Sequence, residues 1–174
     1  MKRIIPVLLL GIAAPAHAVG TINQIYIQPS IASLHVNGSD ASGLMTQVGY
    51  TYHFTPMFAA DISYLSTGSI KNIAVSGDSA SISGYSISSK LYFPATYYGS
   101  FYGKLGFNHT ELKYSSTAIT LPYDENETTT KPYIAVGGMS YLFPSMAVNF
   151  EYQYIGLSSN NYASSIGAGI NIFF

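Results

Sequence analysis

From residue 22 onward, apolar and polar residues alternate with period two in eight stretches, near 22–35, 42–54, 57–67, 80–93, 97–112, 130–143, 145–156 and 161–174. Period two is the strand period, because successive strand side chains point to opposite faces. Four stretches close on an aromatic residue. Tyr52-His53-Phe54 runs into Thr55-Pro56, Tyr92-Phe93 into Pro94, and Tyr141-Leu142-Phe143 into Pro144, while Ile172-Phe173-Phe174 ends the chain. Four descending strands imply four ascending partners. An even number of alternating strands with tight turns at one end predicts an all-β fold, an eight-stranded antiparallel up-and-down transmembrane β-barrel.

The same alternation fits a water-soluble barrel turned inside out, so the placement of charge decides. Glu111 and Lys131 fall at the margins of these stretches beside the third long connection, while Asp61, Lys90, Lys104 and Glu151 are the charges inside them. In each case the opposite face is apolar: Ile62 and Tyr64 beside Asp61, Ile87 and Leu91 beside Lys90, Leu105 and Phe107 beside Lys104, Phe150 and Tyr152 beside Glu151. So few charges suit a lumen and are too sparse for a sheet surface in water. Aromatics near both ends of the apolar faces suit membrane interfaces. The connections also alternate in length. Thr55-Pro56, Pro94-Ala95-Thr96 and Pro144-Ser145 are tight, whereas those near 36–41, 68–79, 113–129 and 157–160 are mostly longer.

Two segments fit less well. Pro29 falls inside the first strand, and the pattern Ile25-Ile27-Pro29-Ile31 gives way to Leu34 and Val36, which predicts a bulge near Ala32. In the sixth strand both faces are mild. The set Tyr133, Ala135, Met139, Tyr141 and Phe143 is expected outward, against Ile134, Val136, Ser140 and Leu142.

The N-terminus predicts export. Lys2 and Arg3 precede a short apolar stretch, Ile4 to Ala14, and the small-x-small site Ala16-His17-Ala18. This is the pattern of a secretory signal peptide, residues 1–18, cleaved after Ala18 to leave a barrel domain over 19–174. Loss of Lys2 and Arg3 leaves five lysines against eight acids, a net charge of −3 that argues against a nucleic-acid partner. The chain has no cysteine, which excludes disulfides, thiol catalysis and Cys-ligated metals.

The chain resembles the OmpA/OmpX-like family of small outer-membrane β-barrels. The resemblance rests on Ala16-His17-Ala18, the strand Tyr102-Gly103-Lys104-Leu105-Gly106-Phe107 and the ending Ile172-Phe173-Phe174, and it spans the whole mature chain. It implies the bacterial outer membrane, with outer-membrane lipid and lipopolysaccharide as surroundings and a monomer as the working unit. It also implies that the barrel-assembly machinery reads Phe174, with Ile172 and Ile170 on the same face, as an assembly signal. The chain is expected to stop at the barrel, without the periplasmic peptidoglycan-binding domain of larger relatives.

An eight-stranded barrel has an interior that side chains fill. The expected inward set is Gln28, Gln47, His53, Asp61, Lys90, Lys104, Asn149, Glu151 and Gln153. Buried charges must pair. Depth along the strands predicts a charge network of Asp61–Lys90 and Lys104–Glu151 pairs, or one linked network, that plugs the lumen. The alternative is a narrow ion channel gated by these pairs. A lipid A-modifying enzyme is a further alternative, with candidates His35 and His109 and Ser33, Ser115 or Asp40. No local pattern ties those residues together, so no catalytic residue, metal or cofactor is assigned. The favoured role is structural and adhesion-like: the segment Ser115 to Thr130, with Asp124, Glu125 and Glu127, is read as the longest outward loop and meets a host or cell-surface ligand.

Deletion of Phe174 should impair assembly more than stability, since one lipid-facing aromatic is a small part of the apolar belt. Pulse-chase insertion into outer-membrane fractions, set beside urea unfolding of refolded protein, separates the two effects. A large stability loss with normal insertion would reverse the assignment.

Overall fold

The computed structural model describes residues 23–36, 39–68, 70–71, 79–116, 123–157 and 161–174. The expected signal segment and cleavage site lie outside the described residues, as does Asp78. The strands are β1 (Asn23–Val36), β2 (Ser39–His53), β3 (Phe58–Thr67), β4 (Ile70–Lys71), β5 (Ser79–Thr96), β6 (Gly99–Ser116), β7 (Tyr123–Phe143), β8 (Met146–Gly156) and β9 (Tyr162–Phe173). Their order in the sheet is β3-β2-β1-β9-β8-β7-β6-β5-β4, and β3 also pairs with β5. That last pairing closes a ring of eight antiparallel strands, with the two-residue β4 added beside β5. Closure gives the backbone N–H and C=O groups partners in the ladder, which a lipid environment demands.

The faces divide as the charges predict. Ile62, Ile87, Leu105 and Phe150 point outward and are about half to two-thirds exposed, while Asp61, Lys90, Lys104 and Glu151 are buried inside. The tight turns use short-range caps. At the first, the Phe58 N–H donates to Thr55 Oγ1 at 2.9 Å. At the second, the Tyr98 N–H donates to Thr96 Oγ1 at 3.3 Å.

Four expectations are corrected. There is no bulge near Ala32: β1 pairs with β2 in unbroken register from Asn23↔Tyr52 to Val36↔Ser39. Leu34 is simply an inward residue, since the lumen is apolar at that level. The Pro94-Ala95-Thr96 turn is strand, with a register shift between Pro94 and Thr96, and Tyr97-Tyr98 forms the turn. In β7 the faces are reversed. Tyr133, Ala135 and Met139 are buried inside, whereas Ile134, Val136 and Leu142 face out. The register shift between Tyr141 and Phe143 then brings Phe143 outward as well. Finally, most of 113–129 is not loop: β6 and β7 stay paired as far as Ser116↔Tyr123. Thr128-Thr129-Thr130 has strand propensity without an apolar face to mark it.

The ring is therefore uneven in height. β6 has 18 residues and β7 has 21, whereas β8 and β9 have 11 and 12. The β5–β6–β7 sheet rises past its neighbours at the long-connection end. Among the described residues, β8 pairs with β7 only from Tyr133 onward, so the β8-side edge of residues 123–132 carries no strand.

The interior has three tiers. At the long-connection end an apolar cluster includes Leu34, Met45, Leu65, Ile82, Leu112 and Ile155. The middle is polar. At the tight-turn end Tyr92, Tyr102, Phe173 and half-buried Tyr141 form a second cluster. Two glycines make room for inward tyrosines: Gly49 stands opposite Tyr26 and Gly137 opposite Tyr102. A Cβ on Gly137 would lie 2.5 Å from Tyr102 Cζ and 2.6 Å from the Phe150 carbonyl oxygen. At Gly103 the nearest atom would be 3.9 Å away. Gly137→Ala should therefore cost about 1–3 kcal/mol by overpacking, and Gly103→Ala less than about 0.5 kcal/mol. Urea unfolding from lipid vesicles measures both, and equal effects would contradict this packing.

Candidate functional site

The middle tier is the most organised group of polar side chains in the described molecule. It is built from inward positions of neighbouring strands, so its members are set by parity alone: Gln24, Tyr26 and Gln28 on β1, Gln47 and Thr51 on β2, Asp61 and Ser63 on β3, Lys104 on β6, Asn149, Glu151 and Gln153 on β8. Lys104 lies at its centre. Its ammonium is 3.0 Å from Glu151 Oε2 and 3.6 Å from Asp61 Oδ1, and it donates to the Tyr26 hydroxyl at 3.2 Å. Asp61 accepts from Thr51 at 2.6 Å and from Tyr26 at 3.0 Å. Glu151 accepts from Tyr102 at 2.9 Å. Each carboxylate is thus held by one cation and by hydroxyl donors, the arrangement that makes a buried charge tolerable.

Lys90 behaves differently from the expectation. It is not paired with Asp61. Lys90 is in register with Ala59 on β3, while Asp61 stands opposite Ser88. Lys104, level with Lys90 on the next strand, reaches Asp61 instead. The Lys90 ammonium sits over aromatic rings, 4.2 Å from the centroid of Tyr102 and 4.9 Å from that of Tyr92. Cation–π attraction takes the place of a second ion pair there.

Amides extend the network toward the tight turns. Asn149 donates to Gln28 at 2.6 Å, Asn171 to Asn149 at 2.8 Å, and Gln24 to Asn171 at 2.6 Å. His53, half-buried, lies 3.1 Å from Gln24 Oε1 and stacks on Tyr92 at 5.0 Å. On the other side Gln47 donates to Ser63 at 2.7 Å and Gln153 to Ser165 at 2.8 Å. Tyr26, Tyr102 and Tyr133, with Gln24, Thr51, Ser63, Ser165 and Asn171, are members that the expected inward set left out. The available signal was parity: Tyr26 shares a face with Gln24 and Gln28, and Tyr102 with Lys104.

The enzyme candidates with described side chains, Ser33, His35, Asp40 and His109, lie at the long-connection end on the outer face. The β1–β2 hairpin sets His35 against Asp40, with Nδ1 at 2.7 Å from Oδ1, and the His35 ring stacks on Tyr162 at 4.9 Å. A local pattern does therefore tie two of these residues, since a short hairpin turn places positions five apart opposite each other. Among the described residues Ser33 makes no hydrogen bond to that histidine, and His109 is engaged elsewhere, at 2.8 Å from Thr130 Oγ1. The side chain of Ser115 lies outside the described residues. Ile170, Ile172 and Phe174 all point outward.

Because Lys104 separates two buried carboxylates, Lys104→Met should destabilise by about 3–5 kcal/mol. Lys90→Met should cost about 2 kcal/mol or less. The double variant Lys104→Met with Glu151→Gln should lose less than the sum of its singles. Urea unfolding from lipid vesicles tests all three; equal costs for the two lysines, or an additive cycle, would contradict the geometry.

Many solved structures share this architecture. The chain overlays Ail, the attachment invasion locus protein of Yersinia pestis, solved in complex with the heparin analogue sucrose octasulfate, at TM-score 0.65 and 19% identity, covering 87% of this chain and 97% of that one. Neisserial surface protein A matches at TM-score 0.72 and 14% identity over 87% and 97% of the two chains. The N-terminal β-barrel domain of Pseudomonas aeruginosa OprF matches at TM-score 0.58 and 13% identity over 86% and 97%. At such identities the likeness is one of fold. No curated protein sequence matches the chain significantly. Residues 4–174 match the family described as outer membrane protein beta-barrel domain, and the chain belongs to that family.

Proposed function

We propose that this is a surface-interaction protein of the bacterial outer membrane, with an adhesion-like role carried by the raised β5–β6–β7 sheet and a lumen closed by its own side chains. One observation carries the reading: residues 123–132 of β7 stand above β8 with an unpaired edge among the described residues. An open strand edge is a template for an incoming strand. The run Tyr123-Asp124-Glu125-Asn126-Glu127 is acidic, and Lys71, Lys113 and Lys131 are dispersed in sequence, so a neutral or basic protein surface suits it better than a polyanion. In this respect it differs from what the Ail complex displays.

The remaining assignments are part of the same proposal. The signal is cleaved after Ala18, the tight turns lie in the periplasm, and the long connections face outward among lipopolysaccharide. The outward row Ile170, Ile172 and Phe174 serves the barrel-assembly machinery, and the barrel works as a monomer without enzymatic activity. The lumen reading draws support from the density of side-chain hydrogen bonds around Lys104. Among the described residues no hydroxyl is bonded to the His35–Asp40 pair, which weighs against lipid A chemistry.

Leu112 and Glu127 are opposite each other, so a two-residue turn joining them removes the upper part of the raised hairpin and keeps Leu112 in the apolar tier. Cells carrying that variant should lose adherence to host cells while the protein still shows heat-dependent migration on gels. Protease added to intact cells should cut first within 68–79 or at the β6–β7 tip. Unchanged adherence would remove the hairpin from the role; cleavage at Pro94 or Pro144 alone would invert the topology, and recovery as a soluble periplasmic protein would overturn the membrane assignment.

A further inference from the structure

We propose that the barrier to ions in this barrel is the apolar tier at the long-connection end of the lumen, and not the charge network beneath it. The inference rests on the closed-lumen reading above and says which layer closes it. All eight ring strands contribute to that tier: Leu34, Met45, Leu65, Ile82, Leu112 and Ile155 come from six of them, and alanines of β7 and β9 complete the circle. Leu34 and Leu65 are fully buried, so the tier is packed across its width.

The polar side chains at this height are turned to the wall. Thr67 Oγ1 accepts from the Ile82 N–H at 2.7 Å. Asn108 donates to Thr110 at 3.2 Å and to the Gly156 carbonyl at 3.4 Å, leaving its own Oδ1 as an unpartnered acceptor. The Tyr133 hydroxyl points away, toward Gln153 at 3.1 Å. An ion entering here would shed its water and meet almost nothing to replace it, which is how apolar constrictions exclude ions. The middle tier offers the reverse. It holds both signs of charge and several partly satisfied groups, including Gln28 Nε2, Gln47 Oε1 and Ser88 Oγ. Such groups accommodate water. Breaking one ion pair there leaves the apolar tier intact.

The test is ion conductance of the refolded full-length barrel in planar lipid bilayers, with heat-dependent migration as the check on folding. The wild type should be silent. Leu34→Ser with Leu65→Ser should raise conductance by about tenfold or more over background. Ile155→Thr, a milder change of shape, should raise it in the same direction and serves if the double variant does not fold. Lys104→Met with Glu151→Gln should remain silent. Conduction by the charge variant, or silence of a folded apolar-tier variant, would overturn this inference while leaving the closed lumen standing. Conduction by the wild type would overturn the closed-lumen reading itself.

Discussion

Everything in this structure depends on the pairing of β3 with β5, which turns a sheet into a ring. An open sheet would leave two rows of backbone donors and acceptors, and lipid offers them nothing. Closure with eight strands then fixes the width of the interior. That interior admits side chains and little else. Every inward polar residue must find its partner among the other inward residues. Lys104 has carboxylates on two sides, Tyr26 links it to β1, and Tyr102 reaches past β7 to hold Glu151. The arrangement is one connected network because the ring is too narrow for separate ones.

The same closure explains why the two ends differ. At the tight-turn end aromatic rings cluster along the inner wall. At the other end, among the described residues, the wall rises on one side, since β6 and β7 continue pairing beyond the point where β8 has stopped. Above the apolar belt no hydrophobic face is required. The outward positions become His109, Glu111, Lys113 and Thr130. A sheet held rigid from below can thus present polar edges, which is why the proposed surface interaction is placed there.

Much of this was legible in the sequence wherever a single charge labelled one face. Asp61, Lys90, Lys104 and Glu151 each marked the inside of a strand, and the apolar residues between them marked the lipid side. In β7 no charge lies between Tyr133 and Phe143, both faces are apolar, and the orientation is decided by Tyr133 reaching Gln153 on the next strand. That contact is tertiary and leaves no local trace. The partner of Asp61 was hidden for a similar reason: counting residues from the turns gives depth along each strand, whereas the meeting of Lys104 with Asp61 depends on side chains crossing the lumen. The extension of β6 and β7 was hidden because hydrophobic alternation is the mark by which strands are found, and a strand pair in water does not need it. The apolar tier made the outer part of β1 look like a bulge, since Leu34 broke a pattern that assumed a uniformly polar lumen.

The central claim is that the apolar face of every ring strand meets lipid and the polar face meets the lumen. The chain has no cysteine, so single cysteines can be spin-labelled without background. Labels at Ile62, Ile87, Leu105 and Phe150, set against labels at Ser63, Ser88 and Asn149, should be compared in bilayers for collision with oxygen, which concentrates in lipid, and with a water-soluble nickel complex. The account predicts strong oxygen contact at the first set and little contact with either agent at the second. Nickel contact along the first set, with the second set unchanged, would mean a water-soluble barrel and would contradict the account.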